Sequence, residues 1–292
     1  MELLRFRRFP RRAFTLVELT IVLGIIVALS ILAIPAISSR KSANDMTKAA
    51  TTIKGVLDQA RAYAQANNTY TWVGFYEEDG SIPSVIPAPA TCTGCAGRLV
   101  ISVVASNDGT NLGADVSGSA KTIPATSLTQ VGTLTKIDNV HLPLVAVPSP
   151  TPNCRNVDCT TFDNRPPVQY DPGSVGYNDS RFGEINGTPP NIAPYSNNGV
   201  TLFPFQYPVG GSTAPTQQYF FQRTIRFSPT GENRINSTYD ARTLVEIGLL
   251  QTRGNVVPTP TSGGGTSTAV YPGNVAAVQI GGLDGVVRIY KR

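Results

Sequence analysis

Histidine is nearly missing from this chain: among 292 residues there is one, His141, in the run NVHLPLV. Imidazole chemistry is therefore confined to a single position, and His141 is expected to be structural or exposed rather than a general base. Also missing are a glycine-rich phosphate loop, an HExxH pair and a nucleophile elbow. The acids Glu77, Glu78 and Asp79 do cluster. At the expected end of a strand they read as a solvated acidic turn rather than a catalytic pair. Neither an enzyme nor a cofactor-bearing or metal-dependent protein is expected.

Charge is scarce too, at 15 % of residues, and the formal net charge of +5 is misleading. Residues 1–13 hold Arg5, Arg7, Arg8, Arg11 and Arg12 against Glu2. Taking these from 24 basic and 19 acidic residues leaves 19 and 18. The remainder is almost neutral, so its overall charge offers no support for a polyanion partner.

What the chain does have is RRAFTLVELTIVLGIIVALSILAIP, Arg11 to Pro35. A basic leader meets an apolar run from Phe14 to Ile37 that is about long enough for a helix to cross a bilayer core. One carboxylate, Glu18, lies inside it; a charge there costs about 2.5–3.5 kcal/mol at the bilayer centre, so it reads as a group awaiting a partner. The arginines predict a single-pass inner-membrane protein with a cytoplasmic N-terminus and the rest outside. A secretory signal peptide or a plain signal anchor competes, but neither accounts for the acid.

Ala13, Phe14, Thr15, Leu16, Val17 and Glu18 match small residue, Phe, Thr, Leu, any residue, Glu. This resembles the class III signal of type IV pilins and type II secretion pseudopilins, with Ala13 where Gly is usual. The resemblance implies that prepilin peptidase cuts between Ala13 and Phe14 and that Phe14 is N-methylated. It implies that Glu18 pairs with the Phe14 ammonium of a neighbouring subunit during assembly. Leaving either charge alone in a dry helix core would cost several kcal/mol. The competing reading is a Glu18 bonded locally at the helix start, where the dipole favours an acid. Pro35 falls where many pilins have a proline, and together with Gly24 it marks expected kinks.

Ala43, Met46, Ala50, Ile53, Leu57, Ala60 and Ala64 recur every three or four positions, the stripe of an amphipathic helix. Phe14 to Asn67 would form one rod of about 80 Å, with Asn67 and Asn68 as its stop. Strands are expected at Thr69 to Tyr76, Arg98 to Ala105, Gln218 to Phe227 and Arg242 to Leu250. Val275 to Tyr290 reads as a hairpin turning at Leu283-Asp284-Gly285. The expected organisation is a leader (1–13), a transmembrane and assembly helix (14–39), its amphipathic continuation (40–68) and an exported β-rich domain (69–292). A loop-rich insertion covers 107–215. The fold class is α+β and pilin-like, a long N-terminal helix packed on an antiparallel β domain.

The exported part holds Cys92-x-x-Cys95 and Cys154-x4-Cys159. Two disulfides are favoured outside the cytoplasm, while a four-thiolate zinc site and free thiols remain alternatives. The sequence does not choose among three connectivities.

VLDQARAYAQANNTYTWV, IRFSPTGE and GLDGVVRIYKR resemble the first-helix end, a later strand-and-turn and the terminal hairpin of GspH/FimT-type minor pseudopilins. The function implied is a structural subunit of a type II secretion or type IV pilus-type machine. Its partners would be other pseudopilins or pilins, prepilin peptidase, the inner-membrane assembly platform, and lipid before assembly. A second reading is DNA uptake, since FimT-like minor pilins use C-terminal basic residues and this chain ends with Arg288, Lys291 and Arg292. So few cations would bind weakly and salt-sensitively. A third reading is a standalone bitopic envelope protein.

Overall fold

The computed structural model describes residues 15–84, 96–112, 125–143, 161–168, 205–209, 219–221, 223–235, 242–259, 261–262, 269–270 and 274–292. Helix α1 spans Leu16–Ala66. Thr15 and Glu18 cap its start reciprocally: the Thr15 N–H donates to Glu18 Oε2 at 3.2 Å, and the Glu18 N–H donates to Thr15 Oγ1 at 3.2 Å. At the other end Asn68 takes the left-handed conformation (φ 49°), and the Thr69 N–H returns to the Ala64 carbonyl at 3.0 Å. That 6→1 bond is a Schellman stop with asparagine at the left-handed position. The chain divides into two compact units, Met1–Ala43 and Asn44–Arg292.

Among the described residues of the second unit thirteen strands follow the helix: β1 Thr71–Asp79, β2 Gly97–Ser106, β3 Leu128–Gln130, β4 Thr135–His141, β5 Phe205–Tyr207, β6 Tyr219–Phe221, β7 Arg223–Phe227, β8 Asn233–Ile235, β9 Leu244–Gln251, β10 Thr261–Ser262, β11 Ala269–Val270, β12 Val275–Gly281 and β13 Val287–Lys291. Nine build one sheet in the order β13-β12-β9-β4-β2-β1-β7-β8, with β3 paired to β2. Every described pairing is antiparallel.

Alternation along the strands sorts the apolar side chains onto two faces. Val73 and Phe75 lie opposite Val103 and Ile101 of β2. They share a cluster with Ile53, Leu57, Ala60 and Ala64, the stripe of the helix within 44–66. Lys54 fastens that helix segment to the last strand, donating to the Val287 carbonyl at 3.0 Å. Trp72 belongs to the opposite face with Val100, Val104, Phe205, Tyr219 and Phe221, beneath the β5–β6 hairpin. Phe205 and Phe221 stack at 5.1 Å over Gly74, where a Cβ would come within 2.4 Å of Phe221 Cβ. Strand β2 is consequently buried along its whole length. A fully buried Leu, Ile or Phe contributes roughly 1.5–3 kcal/mol, so this two-sided burial carries most of the domain's stability.

The expected architecture of one transmembrane-then-amphipathic helix packed on a β domain is corrected here. The described structure is dominated by antiparallel sheet, and only the helix residues from Asn44 onward belong to the β unit. Among the described residues no helix is long and apolar enough to cross a membrane. That finding also overturns the single-pass inner-membrane placement.

The supposed loop-rich insertion contains β4, which sits in the middle of the sheet between β2 and β9. Its sequence, TKIDNVH, is polar because its exposed and half-exposed positions face other polar groups or solvent.

Candidate functional site

Unit one presents an unusual surface. Leu16, Val17, Leu19, Ile21, Val22, Leu23, Ile25, Ile26, Val27 and Leu29 are all exposed, Leu16 at 78 % and none below 48 %. Because consecutive residues of a helix point 100° apart, this set surrounds the axis rather than forming a stripe. Glu18 is the only acid in the first turn. Its Oε2 also accepts from the Thr15 hydroxyl at 3.1 Å. Beside Gly24 no atom would lie within 4 Å of an added Cβ. Pro35 falls within the bounds of α1. Ala13, Phe14, Cys92, Cys95, Cys154 and Cys159 lie outside the described residues.

The C-terminal basic residues are not brought together. Lys291 reaches Thr47 Oγ1 at 3.4 Å, on the helix side of the sheet. Arg288 instead borders a cavity beside the Gly281–Asp284 turn. Strand β13 is an edge strand, where charged side chains discourage pairing with a second sheet. Its backbone is partly covered as well, since the Phe162 N–H and Thr161 hydroxyl donate to the Lys291 carbonyl at 3.1 and 2.9 Å.

The acidic cluster is the largest departure from expectation. Glu77 and Glu78 are buried, on opposite sides of β1. Glu77 Oε2 lies 2.8 Å from His141 Nδ1, and its Oε1 accepts the Leu142 N–H at 2.6 Å. Both side chains are wholly removed from solvent. His141 is thus held within the fold rather than offered to a substrate.

Glu78 sits among Arg98, Lys136, Tyr219 and Ser84. Tyr219 donates to its Oε2 at 3.0 Å, and Ser84 and Lys136 donate to Oε1 at 2.9 and 3.2 Å. Lys136 also contacts the Ser84 hydroxyl and donates to the Tyr219 hydroxyl at 2.6 Å. Burial opposes the Arg98 charge, but the hydrogen bond and charge of Asp138, at 2.5 Å, and then Glu78 hold its pKa above the ordinary arginine value. A serine beside a lysine suggests an activated nucleophile. Here, however, Ser84 and Lys136 both donate to Glu78 Oε1, and Lys136 donates to Tyr219 as well. The arrangement therefore serves as a polar clamp joining β1, β2, β4 and β6. The signal for it was present in the period of β1, since Trp72, Tyr76 and Glu78 are spaced by two and four.

The clamp has a consequence at high pH. Burial, and then the Glu78 charge, push the Tyr76 phenol up to about 12. Burial and Glu78 raise Tyr219 in the same direction. A raised folded-state pKa contributes stability that is complete below the unfolded value, near 10, and lost as pH rises through about 12. Two units correspond to about 2–3 kcal/mol. A titration followed at 295 nm should show a set of tyrosines ionising only as near-UV circular dichroism collapses. If all 11 tyrosines ionise near pH 10 with the fold intact, the clamp is not closed in solution.

A second buried ion pair joins Arg165 to Glu246, Nε to Oε2 at 2.7 Å, with Gln279 Nε2 donating to the same oxygen at 2.8 Å. Among the described residues no group of His, Cys, Asp and Glu could hold a metal ion. Compared with known proteins, the chain matches no family model, no curated protein and no solved structure.

Proposed function

We propose that this chain is a structural subunit that assembles with other subunits through the start of α1, as a minor pseudopilin of a type II secretion or type IV pilus-type machine. The observation that carries the reading is the ring of ten large apolar side chains exposed between Leu16 and Leu29. Surface of this size and character marks an interaction site, and helices of neighbouring subunits would cover it. Each Leu, Ile or Val removed from water contributes roughly 1.5–3 kcal/mol. Apolar contact without direction does not define register; a single carboxylate does. Prepilin peptidase would release Phe14, and the new methylated ammonium of one subunit would meet Glu18 of the next. Glu18 can exchange its bond to the Thr15 hydroxyl for that pairing, because the exposed helix start leaves the carboxylate reachable. The sequence features that resemble minor pseudopilins support this reading, as do Glu77, Glu78 and His141, which are committed to internal bonds. The role is structural rather than catalytic.

Mass spectrometry of the mature chain should find an N-terminus at Phe14 bearing one methyl group. An intact leader would overturn the processing step. In a crosslinking assay in the producing cell, Glu18→Ala is expected to lose most of its incorporation into multimers while remaining folded. Incorporation equal to the parent chain would sink the register role of Glu18.

A further inference from the structure

Strands β1, β7 and β8 carry a cross-strand row on the face away from the helix, with Trp72 opposite Arg226 and Arg226 opposite Arg234. Arg226 is only 6 % exposed. A guanidinium buried to that degree ordinarily lies against a carboxylate. Among the described residues none is within ion-pair distance of it, and its side chain makes one hydrogen bond, from Nη1 to Asn111 Oδ1 at 2.6 Å. The charge rests over the Tyr70 ring, 5.5 Å from its centre. The neighbouring acid, Glu232, is taken by Arg234, whose Nε donates to Oε1 at 2.6 Å. Like charges directly opposite on a sheet repel, so Arg234 adds to the cost of the Arg226 charge. Burial, and then Arg234, lower the Arg226 pKa to about 10, which leaves the group charged at neutral pH.

The guanidinium is not sealed from outside. Of its nitrogens only Nε is both fully buried and without a partner, so Nη2, which makes no hydrogen bond, reaches the surface. The Asn111 amide nitrogen is likewise without a partner and not enclosed, on a half-buried residue. Two accessible donors thus flank the bond between Arg226 and Asn111, beside one uncompensated positive charge.

We propose that Arg226 and Asn111 bind a carboxylate from outside the fold, Arg226 Nη2 donating to one oxygen and Asn111 Nδ2 to the other. Hydrogen bonds to an ionised acceptor are the strong ones, and a carboxylate has two oxygens to offer. Tyr70, beneath the guanidinium, and Leu112, next to Asn111, are half-buried and give apolar surface to the stem of that acid. A phosphate would bring more oxygens than the two donors satisfy, and up to twice the charge. The site lies wholly within residues 44–292, so it holds or fails separately from assembly through the start of α1.

Trp72 is the only tryptophan of the chain, and cross-strand partners lie about 5 Å apart at Cβ. Its single indole N–H resonance, in the isotope-labelled full chain, therefore reports on Arg226. At constant ionic strength held with chloride, butyrate and a short blocked peptide with one glutamate should move that resonance saturably. Butyramide and the matching glutamine peptide should bind at least about tenfold more weakly, as expected for losing a charged hydrogen bond. A glutamate peptide at least about tenfold tighter than butyrate identifies a polypeptide acid as the source, and closer affinities identify a small carboxylate. Asn111→Asp keeps the acceptor for Arg226 Nη1 and supplies a carboxylate from within. It should weaken acid binding at least about tenfold and raise the melting temperature by about 2–4 °C. Arg226→Gln should weaken acid binding as much; if it does not fold, Asn111→Asp decides. No saturable shift from either acid at about 20 mM, a Kd beyond any specific site, would overturn the site. So would equal binding of acids and amides, phosphate binding more tightly than butyrate, or an Asn111→Asp variant that binds acids like the parent.

Discussion

Replacing Glu77 with alanine is expected to lower the unfolding free energy by roughly 2–6 kcal/mol, since two buried groups lose their hydrogen-bond partner at about 1–3 kcal/mol each. The carboxylate meets two donors from one short segment, His141 Nδ1 at 2.8 Å and the Leu142 N–H at 2.6 Å. Neither Glu77 nor His141 has exposed side-chain surface, so water cannot step in without opening the sheet. The same two bonds hold the end of β4 against β1, although those strands are not neighbours in the sheet. Domains are stable by only about 5–15 kcal/mol, so the variant should be partly unfolded in mild urea that leaves the parent intact. Denaturation followed by far-UV circular dichroism measures the difference. Glu77→Gln keeps an acceptor for Leu142 and should lose less. A Glu77→Ala midpoint within error of the parent would mean that the pair contributes nothing to stability.

Gly97→Ala should be comparably damaging for a different reason. Gly97 has φ +100°, a conformation that side chains rarely adopt, and an added Cβ would lie 1.8 Å from the Gly254 carbonyl oxygen. The obstruction is backbone, which cannot rotate away as a side chain would. Relief requires moving the turn near Gly254, where the Thr252 N–H donates to the Asn139 carbonyl at 3.0 Å. It also disturbs the register shift between β2 and β4, which occurs at Gly97/Arg98. Strain at such a position is worth about 3 kcal/mol before the displaced contacts are counted. For a domain of this size that lowers the melting temperature by roughly 6–12 °C. Gly55→Ala is the matched control, since nothing lies within 4 Å of its added Cβ on the helix. It should gain about 0.5–1 kcal/mol. Equal melting temperatures for the two variants would show that Gly97 is not held in its described conformation.

The legible parts of this fold are those whose signal is local. Asn67 and Asn68 were readable as a helix stop because the left-handed turn needs a residue that tolerates it, and Asn68 occupies it. The stripe Met46 to Ala64 was readable because burial of one helix face imposes its own period. Strands β1, β2, β7, β9 and the β12–β13 hairpin have β-branched or alternating runs. Strand β4 was not legible. Thr135–His141 has few apolar residues, and it is a central strand because β2 and β9 lie on either side of it. The acids of β1 were misread for a related reason. A run of three carboxylates is normally solvated, and only partners far along the chain, His141 for Glu77, and Arg98, Lys136 and Tyr219 for Glu78, make burial tolerable.

Alone, the sequence determined a run of five arginines within residues 5–12, an apolar helix start with one carboxylate, an amphipathic helix segment and several β-prone runs. These follow from composition and period, which depend on neighbours a few residues apart. Tertiary structure decided which half of the helix belongs to the β unit. It decided that the polar middle supplies a central strand, and that Arg288 and Lys291 serve different sides of the sheet. The physical reason is that a buried charge or an unpaired carbonyl is tolerable only beside its partner. Pairing across a hundred residues is set by strand order, which no local period records.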